Sequence, residues 1–210
     1  MFWYIDYDIA NEGQSALLCW DIYIIYYKYH ENKKKHRKNM EDIKMGFDLG
    51  GVNPIIHKPE TEYKYYKQDS DMWKSEDEKK RKKYFNEMDE YHKANPGVYF
   101  RNNVWWWRPL WDFVCMQCSD FMTDKQKEGG NWNDGRLIDQ ETAAKIGTKL
   151  EILLKDGTVK RWEKHIKTRN EDLAKDEDKE KRFMSQYPFS QDNVENFAKF
   201  CLESGGFEIC

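Results

Sequence analysis

Residues 95–118 read NPGVYFRNNVWWWRPLWDFVCMQC and hold four tryptophans, Trp105, Trp106, Trp107 and Trp111, within seven positions. Side chains of this size bury large areas and rarely gather on a surface without something covering them. The stretch therefore marks the core. Trp107, Leu110, Trp111, Val114, Cys118 and Phe121 recur at three- and four-residue spacing, which predicts a central helix over about 103–121. Two starts fit it: Asn102 or Asn103 as cap, or Pro109 at the first helical position. Trp106, Phe113 and Met122 widen the apolar stripe, as in an element buried on more than one side.

Other helices are read outward from this one. Ser75 and Glu78 have the spacing of a capping box, and Tyr84, Phe85, Met88 and Tyr91 follow as an apolar stripe before Asn95-Pro96-Gly97 ends the run. Asp139 caps a helix from Gln140 to Lys155, in which small Ala143 and Gly147 admit a close neighbour. Thr158 to about Asn170 forms another, and Ser190 caps the last, with Val194, Phe197, Ala198 and Cys201 inward and Gly205-Gly206 at its end. The expected fold is mainly α: a single irregular helical domain of about five helices over residues 45–210, with a charged, insertion-like segment at 58–94. Lys58–Gln68 reads as a surface loop, GFDLGG (46–51) as a structured loop, and Phe207–Cys210 as a tail docked on the core. Residues 1–44 read as an extension, a short β-hairpin followed by a basic linker.

Composition narrows the function classes. Of 210 residues 35% are charged and 16% aromatic, so charge is segregated from a real core and the chain is not of the disordered type. A net charge of −3 gives the whole molecule no attraction for nucleic acid. The basic patch Lys33, Lys34, Lys35, Arg37 and Lys38 is the one local exception, and it lacks the aromatic platform that single strands need. The five cysteines are an odd number and fit a reducing compartment. No apolar run is long enough to span a bilayer, and the first residues do not have the pattern of a signal peptide, so no membrane partner is expected.

Three further sets of residues are candidates for a site. Cys115 and Cys118 have the spacing of a zinc knuckle, and Cys201 and Cys210 are the thiols that would complete a four-cysteine site. Within a helix the same pair is ordinary packing, and the leading reading has no cofactor. Arg101, Arg108, Asp112 and Asp134 flank the distinctive motifs and could form a polar pocket for a phosphorylated or carboxylated ligand. They could equally satisfy one another. Nothing supplies a general acid, a base and an electrophile together, as an enzyme requires. Trp105, Trp106 and Trp107 point about 100° apart on a helix, so they cannot all enter one core face. At least one is left for another element, a subunit or a ligand, and tryptophan is common at binding hot spots.

Taken together, GFDLGG, NPGVYFRNNVWWWRPLWDFVC, NDG (133–135) and FSQDNVENFAKFCLESGGFEIC (189–210) resemble a group of small uncharacterised bacteriophage and metagenomic phage proteins. They share an RNNVWWWRPLW segment and a C-terminal SGGF motif. The resemblance covers about 45–210 and brings no activity. It implies a phage origin, the cytoplasm of a bacterial host and a domain start near Met45. The function expected is that of an accessory protein acting by protein–protein interaction or self-association through Trp105, Trp106 and their neighbours. The alternatives are a zinc-stabilised module with nucleic-acid contact and a small enzyme.

Overall fold

The computed structural model describes residues 46–68 and 70–210. The readings made for residues 1–44, the hairpin and the basic patch at 33–38, lie outside the described residues.

The tryptophan stretch is a helix, and its start is set by Asn103. The Asn103 carboxamide oxygen accepts hydrogen bonds from Trp105 N (3.0 Å) and Trp106 N (3.1 Å), satisfying two of the amide groups that a helix start leaves unpaired. In chain order, the described residues form β1 (Gly46–Gly51), α1 (Glu78–Ala94), β2 (Tyr99–Asn103), α2 (Val104–Gln117), α3 (Asp124–Gly129), β3 (Arg136–Ile138), α4 (Gln140–Lys155), α5 (Thr158–Leu173), α6 (Lys179–Met184), α7 (Gln191–Glu203) and β4 (Phe207–Ile209). Asp139 and Ser190 cap α4 and α7 as the sequence predicts. The cap of α1 is Asp77 rather than Ser75, whose hydroxyl instead accepts from Asp77 N.

The mainly helical expectation holds in its coarser sense, with seven helices among the described residues where about five were expected, but these include a sheet that the expected single helical domain did not have. The segments read as structured loop and docked tail, together with Tyr99–Asn103 and Arg136–Ile138, join in one four-stranded antiparallel sheet of order β2-β1-β4-β3. In register, Leu49 faces Phe100 on one side and Ile209 on the other, while Leu137 faces Glu208. Strand alternation sends Phe47, Leu49, Phe100, Ile138, Phe207 and Ile209 inward, all buried. Phe100 and Phe207 meet Phe197 and Phe200 of α7, and Phe47 stacks on Trp107 of α2 at 5.4 Å. Each such side chain contributes about 1.5–3 kcal/mol by leaving water. The sheet is thus covered by helices on one face. Asp48, Arg101, Glu208 and Leu137 stand on the other.

The close approach read from Gly147 is present. A Cβ there would lie 2.6 Å from Leu202 Cγ and 3.0 Å from Ala198 O, so only glycine lets α4 and α7 pack as they do. Gly130 has the same role for α2: its Cβ would fall 1.9 Å from Trp111 Cε2, inside the indole itself.

Lys58–Gln68 is not a plain surface loop. Tyr63 and Tyr66 turn inward and meet Tyr84 and Tyr91 of α1, forming a small core of their own. Tyr63 stands edge-on to Tyr91 at 5.7 Å, and Tyr66 lies 5.0 Å from the same ring. Burial, with Glu60 nearby, pushes the Tyr66 phenol up to about 12. Lysines interleaved with the tyrosines hide this pattern in the sequence. Phe85, counted in the apolar stripe of α1, is exposed.

Candidate interaction surface

The helix turn of 100° per residue divides the four tryptophans. Trp107 and Trp111, one turn apart, point into the core and stack at 5.2 Å with their planes 18° apart. Their indole N–H groups donate to Gly130 O (2.7 Å) and Lys127 O (2.9 Å), so the rings carry no unmet polar atom into the interior. Trp105 and Trp106 are half-buried. The Trp105 ring meets Tyr187 at 4.9 Å and Phe183 of α6 at 5.3 Å, and Phe183 is itself 48% exposed. Trp106 has no ring neighbour among the described residues. Trp105 and Phe183 therefore reach the surface together, and half-buried Trp106 does so without a ring neighbour, beside a fully packed core.

The charged candidates go to separate places. Arg101 lies on the open face of the sheet, its Nε 3.3 Å from Asp48 Oδ1, and the Tyr99 hydroxyl donates to the same carboxylate. Burial and the Asp48 carboxylate push the Tyr99 phenol up to about 12. Asp134 receives Arg136 Nε on both oxygens, at 3.0 and 3.1 Å. Arg108 and Asp112 are half-buried on α2, and both have partners. An open groove of about 920 Å³ runs along α5 and the 185–189 segment, and none of these four residues lines it.

The four cysteines of the sequence reading differ in burial. Cys118 and Cys201 are buried, Cys115 is half-buried and Cys210 is exposed at the end of β4. Among the described residues no group of three or more His, Cys, Asp or Glu side chains is placed to hold a metal ion. Burial pushes the Cys118 thiol up to about 12 and raises Cys115 and Cys201 as well, Cys115 with help from the Asp112 carboxylate. The nucleophile is the thiolate, so these groups are held in their unreactive form. With peptide mapping as the readout, alkylation at neutral pH is expected to modify Cys210 first, with Cys118 and Cys201 slower by about a hundredfold until the fold opens. Protection of Cys210 equal to theirs, with one zinc per chain, would instead support the four-cysteine site.

Two features escaped the sequence reading. Asn95, read only as a helix stop, is buried and binds the 57–58 backbone. Helix α5, read only as a helix from Thr158 to about Asn170, carries Lys160 and Arg161 in a first turn that has no acidic residue, whereas α1, α3, α4, α6 and α7 each have one there. That reversal was legible in the charge order. In comparison with known proteins no family model matches the chain, and no curated protein or solved structure matches it. No helix among the described residues is long and apolar enough to cross a membrane.

Proposed function

We propose that this is an accessory protein of bacteriophage type that works in the cytoplasm of a bacterial host by protein–protein interaction or self-association, without chemistry of its own. The observation that carries the reading is the division of the tryptophans: Trp107 and Trp111 close the core, while Trp105 and Trp106 are left with exposed Phe183 at the surface. Large, rigid aromatics that the fold buries only in part are groups on which binding energy concentrates. The charged side chains of the sequence reading support binding rather than catalysis, because Arg101 and Asp134 already have partners in Asp48 and Arg136.

Trp106→Ala separates the roles. Stability in urea is expected to fall by about 1 kcal/mol, as for a half-buried side chain. Association, followed by sedimentation of the purified chain and by retention of its partner on the immobilised protein, is expected to weaken at least about tenfold. Equal losses in both measurements would make Trp106 a core residue and sink the reading.

A further inference from the structure

Helix α5 and the segment that follows it to residue 180 are polarised in charge. Residues 158–169 carry Lys160, Arg161, Lys164, Lys167 and Arg169 against Glu163 alone, five cations to one carboxylate, a net +4. Residues 170–180 carry six carboxylates, Glu171, Asp172, Asp176, Glu177, Asp178 and Glu180, against Lys175 and Lys179, a net −4. The order opposes the helix dipole, which favours acids at the start and bases at the end. Helix stability therefore does not account for it.

Neighbours within the chain account for only part of it: Asp176 pairs with Lys181 at 3.0 Å, and Asp178 caps α6 by accepting from Glu180 N. On α4 and α7 exposed lysines pair with glutamates one turn earlier, Lys145 with Glu141, Lys155 with Glu151 and Lys199 with Glu195. On α5, the side chains of Lys160, Lys164, Lys167, Glu171 and Asp172 have no ion-pair or hydrogen-bond partner among the described residues. Glu163, which stands one turn before Lys167, is taken up in accepting a hydrogen bond from Gln191 N at 3.2 Å. The unpaired lysines border the 920 Å³ groove, whose apolar side is Ile166, Pro188 and Phe189. The groove thus offers an apolar floor with a basic rim, and the acidic complement follows it directly in the chain: Glu171 and Asp172 close α5, Asp176, Glu177 and Asp178 lie in the turn after it, and Glu180 stands at the start of α6.

We propose that α5 is a self-association surface whose partner is a second copy of this chain, the two helices running antiparallel about a two-fold axis. The basic half of each then faces the acidic 170–180 segment of the other, so a single surface meets its own complement twice. Single exposed ion pairs contribute little. Several acting together around an apolar groove, with both ends matched, set orientation and partner choice. This rests on the reading of the protein as one that associates, but it uses a surface separate from Trp105 and Trp106.

The test is a charge swap on the full chain. One variant carries Lys160→Glu, Lys164→Glu and Lys167→Glu; the other carries Glu171→Lys, Asp172→Lys and Glu177→Lys. Both sets are exposed, and the first-turn and last-turn changes align charge with the helix dipole, so both proteins are expected to fold; circular dichroism and urea unfolding verify this. In sedimentation equilibrium the wild type is expected to form a dimer whose dissociation constant rises about tenfold from low to high salt. Each variant alone is expected to be monomeric at the same concentration, and an equimolar mixture to recover a heterodimer, because reversed basic and reversed acidic halves match one another and so do the two unaltered halves. A wild type that stays monomeric at low salt, a dimer indifferent to either reversal, or a mixture that does not re-form overturns the proposal. A dimer that survives the reversals and is lost in Trp106→Ala overturns it while leaving the aromatic surface standing.

Discussion

Trp107→Ala is expected to destabilise the protein by about 3–5 kcal/mol, the largest effect of any single truncation considered. The side chain is fully buried between Phe47 of β1 and Trp111 on its own helix, with Phe197 of α7 edge-on at 5.7 Å. Its removal leaves a cavity where the sheet, α2 and α7 meet, and Gly130 O loses its indole donor. The surroundings cannot close on the void, because Gly130 is fixed against Trp111. Domains of this size are stable by about 5–15 kcal/mol, so the substitution removes a large share of the total. Trp107→Phe keeps an aromatic in the stack and loses only the hydrogen bond and part of the area, so it is expected to lie between wild type and alanine. Urea unfolding of the purified variants reads both. A loss below about 1 kcal/mol for Trp107→Ala, no greater than for Trp106→Ala, would mean that the stack does not organise the core.

That the core could be located at Trp107 and Trp111 from sequence follows from the helix repeat. Positions 107, 110, 111 and 114 share a face whatever lies opposite, and Asn103, Asp139 and Ser190 are caps because their side chains reach their own helix's first amides. The sheet had no such local signal. Gly46–Gly51 has three glycines in six residues, Arg136–Ile138 and Phe207–Ile209 have three residues each, and the pairing of Leu49 with Ile209 joins positions far apart in sequence. A strand that short shows no measurable alternation, and its partners are chosen by tertiary packing. Tyr63 and Tyr66 were hidden for a related reason, since their inward turn depends on α1 being there to receive them. The candidate surface was legible in half. The 100° step required Trp105, Trp106 and Trp107 to part company, but only the fold could show that 107 goes inward and that Phe183, nearly eighty positions on, joins Trp105.

Asn95 is the second position where one side chain is expected to matter greatly. It is fully buried and spends its whole hydrogen-bonding capacity: Oδ1 accepts from His57 N (2.8 Å) and Lys58 N (2.9 Å), and Nδ2 donates to Lys58 O and Tyr91 O, both at 2.9 Å. It ties the segment after β1 to the end of α1, where His57 also meets Glu203 of α7 at 2.8 Å. Asn95→Ala takes the side-chain partner from His57 N, Lys58 N and Lys58 O, while Tyr91 O keeps the backbone amide of residue 95; at about 1–3 kcal/mol for each group that water cannot reach, a loss of about 2–4 kcal/mol is expected. Asn95→Asp tests the hydrogen bonds more sharply, since the shape is kept and only the donor is exchanged. An ionised carboxylate would turn one oxygen toward the Lys58 and Tyr91 carbonyls, whereas the protonated form can still donate to one of them. Burial and these carbonyls therefore raise the aspartic acid's folded-state pKa above its unfolded value of about 3.9. A carboxyl raised in this way has its stability fully present below the unfolded pKa and loses it as pH rises through the folded one. Asn95→Asp is accordingly expected to approach wild-type stability near pH 4 and to fall furthest behind at pH 7, and urea titrations at the two pH values measure the gap. A gap that is the same at both, or that narrows toward pH 7, would show that the donated hydrogen bonds are not what holds the 57–58 backbone in place.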